Sequence, residues 1–232
     1  AGAVKNNFHF EQSAMARSVG AMAERIHTPA TARDDTLRAV TRALRERQTV
    51  VLSLPTDVQD AVLTGSIPPL GLPAAPGPLY PDPASVRHLA EAIEKANRPV
   101  FIAGRGAVIS GAEGAIGKLA DRAGALLATS VCGHGLFTGD SWSLGISGGF
   151  ASPAASELVG ESDLIVGFGV SLTHWTTKRG KLIAPGTTVA QIDIEGPKLG
   201  YHTPVDIAVL ADARAAAEAL LAELGPKQVT RG

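Results

Sequence analysis

A glycine-rich turn after an apolar run is the first place where the residue types could do chemistry. Gly104, Arg105 and Gly106 directly follow the run PVFIA. Glycines after a strand let the backbone approach a phosphate, and the N-terminus of the next helix favours an anion. A dinucleotide fingerprint would need a third glycine where Ile109 stands, and an acidic residue that the next apolar run does not contain. A nucleotide contact and a tight strand–helix turn both remain open.

A second candidate is the G-x-S-x-G pattern at residues 145–149, which is typical of the nucleophile elbow of serine hydrolases. The elbow needs a strand before the nucleophile, here Ser147, and a helix directly after it. The preceding DSWSL is a poor strand, and Pro153 delays the helix. A hydrolase centred on Ser147 is therefore kept as an alternative to a ligand or interface loop built on Gly148 and Gly149.

Two more segments place polar groups after apolar runs. Gly169 and Ser171 follow DLIVGF, the most apolar run of the chain, so their amides and hydroxyl could bind a phosphate or adenosine. Asp193 ends TVAQIDI, where a carboxylate can accept both hydroxyls of a ribose. The alternatives are that Trp175 covers the end of the sheet and that Asp193 caps a turn.

Metal, nucleic-acid and membrane chemistry are not indicated. Cys132 and His134 could be two metal ligands, but no further cluster completes a set, and a single cysteine excludes a disulfide framework. The net charge is −1 over 232 residues without a block of like charge, so nucleic acid and membrane surfaces are not expected partners. Without a signal-peptide pattern or a bilayer-length apolar run, we expect a cytoplasmic protein.

Apolar segments alternate with helical patterns between residues 84 and 225. Asp82 is expected to cap a helix that begins at Pro83. Strands apolar on both faces that alternate with helices form parallel sheets covered on both sides. We predict an α/β fold, a Rossmann-like doubly wound and mainly parallel sheet, with ligands at the carboxyl ends of its strands. The predicted strands cover 99–104, 125–131, 163–169, 187–194 and 205–211.

The upstream part is less regular. We predict a helix over 10–26, a second helix capped by Asp34 or Asp35 with Leu37, Val40 and Leu44 on its apolar face, and a strand over 49–55. Residues 64–83 are rich in proline and glycine, which excludes helix and inner strand and indicates an interdomain linker. We predict a loop over residues 132–150.

Three blocks in order also resemble a known family: RPVFIAGRGA, SLGISGGFASPAASELVGESDLIVGFGVSL and VAQIDIEGPKLGYHTPVDIAVLADARAAAEAL. They resemble the central domain of thiamine-diphosphate-dependent enzymes, of the acetolactate-synthase-like and 2-oxo-acid decarboxylase-like kinds. TLRAVTRALRERQTVVLSLPTDVQDA resembles the end of that family's N-terminal pyrimidine-binding domain. The resemblance implies four parts: the end of a pyrimidine-binding-type domain (1–63), a linker (64–83), a central domain (84–225) and the start of a linker to a third domain (226–232).

The resemblance implies a parent enzyme that uses thiamine diphosphate and Mg²⁺ to decarboxylate or ligate 2-oxo acids. The glutamate that activates thiamine and the Gly-Asp-Gly motif that holds magnesium cannot be placed in this sequence. We therefore expect a fragment that is inactive alone, whose partners are the missing domains and further copies in a dimer or tetramer.

In some members the central domain binds FAD, or an ADP or coenzyme A moiety. The positions that the resemblance carries over to this role are Gly104, Arg105, Gly106, Gly148, Gly149, Gly169, Ser171 and Asp193. The FAD-binding members carry an arginine where Ser171 stands, and an acidic pair with a further arginine at 173–175. Without those arginines the bidentate phosphate clamps are lost, which argues against FAD. A stand-alone nucleotide-binding module is the alternative function.

Overall fold

The computed structural model describes residues 10–62, 69, 71–72, 74 and 76–225. The chain forms two compact units, the first ending at Gly77 and the second beginning at Pro78. Part of the predicted linker 64–83 and all of 226–232 lie outside the described residues. The assignment of the two units to particular domain types of the family stays a prediction.

The first unit contains a two-stranded parallel sheet, in which β1 (Met22–Arg25) pairs with β2 (Val50–Ser53). The predicted helix over 10–26 is wrong: α1 ends at Ser18, Gly20 takes a left-handed φ of 79°, and β1 follows. Glycine adopts that conformation without a Cβ penalty, so the helix stops there. The helices of this unit are α1 (Gln12–Ser18), α2 (Ala32–Arg45) and α3 (Thr56–Gln59).

The predicted cap of α2 is also wrong. The helix begins one turn earlier, after Thr31, and Asp34 and Asp35 lie inside its first turn. Asp35 is buried, and hydrogen bonds from the residues that precede the helix satisfy its carboxylate. Leu44 of the predicted apolar face is exposed.

The second unit is built on a six-stranded sheet whose pairs are all parallel. The strand order is β5-β4-β3-β6-β7-β8, the order of the doubly wound fold, so the predicted fold class is confirmed. Strand β5 lies within 132–150, which was wrongly predicted as a loop; it is a half-buried edge strand with an irregular register, so its apolar pattern is weak. The strands are β3 (Pro99–Ala103), β4 (Leu126–Thr129), β5 (Ser143–Ile146), β6 (Leu164–Phe168), β7 (Thr188–Asp193) and β8 (Ile207–Leu210).

Side chains alternate between two apolar cores, one on each face of this sheet, as the period of a strand requires. Phe101 and Phe168 pack edge to face, with their ring centroids 5.4 Å apart, in the core formed with helices α4, α6 and α8. Val100 and Ile165 face the other core, with α7 and the chain after β6. The helices are α4 (Pro83–Lys95), α5 (Arg105–Ile109), α6 (Glu113–Ala123), α7 (Pro153–Gly160) and α8 (Ala213–Leu224).

Helix α4 is as predicted. The Asp82 carboxylate accepts a hydrogen bond from the backbone N–H of Ser85 (2.9 Å), and Pro83 takes the first helical position.

Among the described residues, none of the helices is both long and apolar enough to cross a bilayer.

Candidate functional site

The neighbouring strands β3 and β6 mark the topological switch point of the sheet. After β3 the chain continues to β4 and β5 on one side, and after β6 it continues to β7 and β8 on the other. Doubly wound folds bind ligands in the crevice at this point, outside the carboxyl ends of the strands. Gly104 and Gly106 follow β3 and Gly169 follows β6, so three predicted residues meet here.

These glycines contact one another directly. The backbone N–H of Gly104 donates to the carbonyl oxygen of Phe168 (3.0 Å), and that of Gly106 donates to the carbonyl oxygen of Gly169 (2.9 Å). A Cβ added to Gly106 would lie 2.7 Å from the Cα of Gly169, and one added to Gly104 would overlap the carbonyl of Gly169. Gly169 itself has a φ of 56°. The absence of side chains therefore serves a backbone-to-backbone contact.

A similar contact joins the turns after β5 and β6. The Ser147 hydroxyl donates to the carbonyl oxygen of Thr176 (3.0 Å), and the N–H of Gly149 donates to the carbonyl oxygen of Trp175 (2.8 Å). A Cβ on Gly148 would overlap the Trp175 carbonyl. A serine nucleophile needs an accessible hydroxyl beside a base. Ser147 is 2 % exposed and its hydroxyl binds the main chain, so this geometry gives the hydrolase alternative no support.

Gln191 on β7 fixes two of the predicted ligand loops, a role that no motif of the sequence predicts. Its amide donates to the carbonyl oxygen of Val170 (3.0 Å) and accepts from the N–H of Gly200 (2.8 Å). The hydroxyl of Thr203 donates to the carbonyl oxygen of Leu172 (2.7 Å), a buried residue with a left-handed φ of 43°. The available signal was one amide inside the apolar run TVAQIDI, because a buried amide must find partners.

The other predicted positions do not form one cluster of side chains. Asp193 accepts a hydrogen bond from the N–H of Glu195 (3.0 Å), which is the turn-capping arrangement. Ser171 is half-buried and Arg105 is exposed. Within the described part of the chain no group of three or more His, Cys, Asp or Glu side chains could hold a metal ion.

Exposed aromatic and basic side chains lie in the segments that follow the carboxyl ends of β5 and β6. Phe150 (66 % exposed) and Trp175 (59 % exposed) stack with ring centroids 6.2 Å apart. Lys178 and Arg179 follow on the exposed turn beyond Trp175. No Asp or Glu occurs in the stretches after β3 to β6, which are residues 104–112, 130–139, 147–152 and 169–182.

Comparisons with known proteins agree with this architecture. The family "Thiamine pyrophosphate enzyme, central domain" matches residues 86–220. A probable acetolactate synthase large subunit of Methanocaldococcus jannaschii is 30% identical over 180 residues, 75% of this chain and 30% of that protein. A probable 2-ketoarginine decarboxylase of Pseudomonas aeruginosa is 33% identical over 149 residues, 64% of this chain and 26% of that protein.

Among solved structures, benzoylformate decarboxylase from Polynucleobacter necessarius superposes with a TM-score of 0.68 at 21% identity, covering 90% of this chain and 39% of that chain. At that identity the likeness shows the fold alone. The chain spans 30% or less of the length of the two relatives compared by sequence. The family match covers more than half of the chain. The chain therefore belongs to the thiamine pyrophosphate enzyme family, whose central-domain model matches residues 86–220.

Proposed function

We propose that this chain is the central part of a larger thiamine-diphosphate- and Mg²⁺-dependent enzyme that decarboxylates or ligates 2-oxo acids. The observation that carries the proposal is the family match over 86–220, together with relatives named acetolactate synthase and 2-ketoarginine decarboxylase. Thiamine diphosphate supplies the electron sink that stabilises a carbanion in such chemistry.

The residues present do not fit a complete thiamine diphosphate site. The sequence contains no Gly-Asp-Gly motif, and the described residues offer no ligand cluster for a divalent cation. We therefore assign this chain a supporting part in the reaction. The glycine contacts around Gly104, Gly106 and Gly169, and the amide of Gln191, fix the turns at the carboxyl edge of the sheet. Those turns are the surface that the domain offers to its neighbours in the larger protein.

The exposed apolar side chains support association. Five large apolar side chains in the stretches after β3 to β6, two of them on helix α5, are each at least 46% exposed: Val108, Ile109, Val131, Phe150 and Trp175. Apolar groups concentrated on one edge of a domain are typical of contacts with other protein surfaces. We propose a homo-oligomer, a dimer or tetramer, as the assembly of the full protein.

The test is calorimetry with thiamine diphosphate and Mg²⁺ on the 232-residue chain, alongside the product of the complete reading frame. We expect the 232-residue chain alone not to bind thiamine diphosphate. We expect the complete product to turn over a 2-oxo acid in a thiamine-dependent reaction, and to be an oligomer by light scattering. Micromolar binding to the chain alone would contradict the supporting role. A complete product that leaves every 2-oxo acid unchanged with cofactor present would contradict the proposed reaction class.

A further inference from the structure

We infer that the switch-point crevice of this domain is closed by its own backbone and does not take the pyrophosphate of FAD, or the phosphates of an ADP or coenzyme A moiety. In doubly wound folds that place receives the pyrophosphate, because a glycine turn and a helix N-terminus present free N–H groups there. The inference concerns this crevice alone. The proposed reaction class does not depend on it.

Two of the N–H groups that a phosphate would use at this turn, those of Gly104 and Gly106, are already bonded. Gly104 donates to Phe168 at 3.0 Å and Gly106 donates to Gly169 at 2.9 Å, both across the switch point. The Cα of Gly106 and the backbone nitrogen of Ala107 would lie 2.6 and 2.7 Å from a Cβ added to Gly169. The space that glycines leave for a ligand in a dinucleotide fold is occupied here by the opposite main chain.

The turn after β4 closes the other side of the β3 terminus. The N–H of Ser130 donates to the carbonyl oxygen of Ala103 (2.9 Å). A Cβ added to Gly133 would lie 2.7 Å from that same oxygen. The end of β3 is thus packed against main chain on both flanks.

The remaining features of a dinucleotide site are also missing. Helix α5 has only 5 residues, too short to present a sustained helix terminus to an anion, and Ile109 stands at the third fingerprint position. Strand β4 ends in Thr129 without an acidic residue for a ribose. Asp193, the other ribose candidate, already caps the turn at Glu195.

Ligand titration tests the inference directly on the intact 232-residue chain. FAD, ADP and coenzyme A at about 1 mM should leave the thermal unfolding midpoint within about 1 °C of its ligand-free value. A site saturated about 100-fold above its Kd would raise the midpoint by about 5–10 °C. Saturable binding of any of the three to the parent chain would overturn the inference.

A pair of glycine variants tests what the glycines are for, without any ligand. Gly106→Ala should lower the midpoint of the ligand-free chain by about 5–10 °C, because its Cβ meets backbone that cannot move aside. Gly114→Ala is the control: position 114 lies in helix α6 with nothing within 4 Å of an added Cβ, so its midpoint should hold or rise slightly. A ligand-free Gly106→Ala chain as stable as the parent would contradict the packing role. If Gly106→Ala does not fold, the titrations of the parent chain still decide the matter.

Discussion

The two acidic side chains Glu24 and Asp35 organise the first unit. The Asp35 carboxylate accepts hydrogen bonds from the backbone N–H of His27 (2.9 Å), the hydroxyl of Thr31 (2.8 Å) and the guanidinium of Arg38 (2.6 Å). Glu24, on β1, binds Arg38 and also Arg42. Bonds to the charged form, that from the His27 N–H first, hold the pKa of Asp35 well below its ordinary value. The bond from Arg42 lowers the pKa of Glu24. These contacts join strand β1 to helix α2 through charge.

Asp35 should make the first unit sensitive to acid. A carboxylate whose pKa is lower in the folded chain stabilises the fold fully above its ordinary pKa of about 3.9, and this contribution is lost as pH falls through the lowered value. We expect Asp35→Asn to lower the unfolding midpoint at neutral pH and to flatten its fall below about pH 4. Asp34→Asn is the matched control, since the neighbouring Asp34 side chain is 76% exposed. Circular dichroism melts across pH measure both, and identical pH profiles for the two variants would count against this role.

The elements show what a sequence pattern can and cannot predict. The start of helix α4 was predicted correctly because its cap at Asp82 and its Pro83 are local signals. Strand β5 was missed because an edge strand buries too little of its surface to produce a clear pattern. The predicted helix over 10–26 failed at Gly20, where one backbone conformation separates helix from strand.

At the candidate site, too, local signals could be predicted from the sequence and long-range contacts could not. The positions Gly104, Gly106 and Gly169 could be chosen from sequence because glycines after apolar runs are visible. Their partners could not, because the contact joins turns about sixty residues apart and depends on the strand order β3-β6. Gln191 was overlooked for that reason too: its two bonds reach loops that only the folded sheet brings together.

Arg122 of α6 holds the C-terminus of α8. Its guanidinium donates to the carbonyl oxygens of Leu224 and Gly225, the latter at 2.6 Å, and its side chain is only 8% exposed. The last carbonyls of a helix lack partners within the helix, and a cation there is favourable. Arg122→Ala should lower the free energy of unfolding by about 2–3 kcal/mol, because buried carbonyls lose a charged donor.

Arg214 provides the comparison for this prediction. It lies on α8 in an exposed pair with Glu218, so Arg214→Ala should cost only about 0.5 kcal/mol or less. Urea unfolding of the parent and both variants gives the free energies. Equal losses for the two arginines would show that Arg122 does not cap α8.

Across the whole molecule, apolar burial is unequal between the two units. Both extended cores consist of residues of the second unit, on the two faces of the six-stranded sheet. In the described part of the first unit, the buried apolar residues are Ala16, Ala21, Ile26 and Ala39, beside a sheet of only two strands. Burial supplies most of the free energy that offsets chain entropy, and two strands seldom suffice alone.

This inequality predicts different behaviour when the units are separated. We expect residues 78–232 to unfold cooperatively by themselves, with a midpoint close to that of the second unit in the whole chain. We expect residues 1–77 alone to remain largely unfolded, because three of the four buried apolar side chains in the described part of this unit are alanines that bury little area. Large exposed side chains such as Met15 and Val19 indicate surface that further protein covers in the proposed larger enzyme. Far-ultraviolet circular dichroism and amide hydrogen exchange on the two pieces measure both expectations. A cooperative melt of residues 1–77 in isolation would mean that stability is not distributed as the cores indicate. The absence of a cooperative melt for residues 78–232 would mean the same.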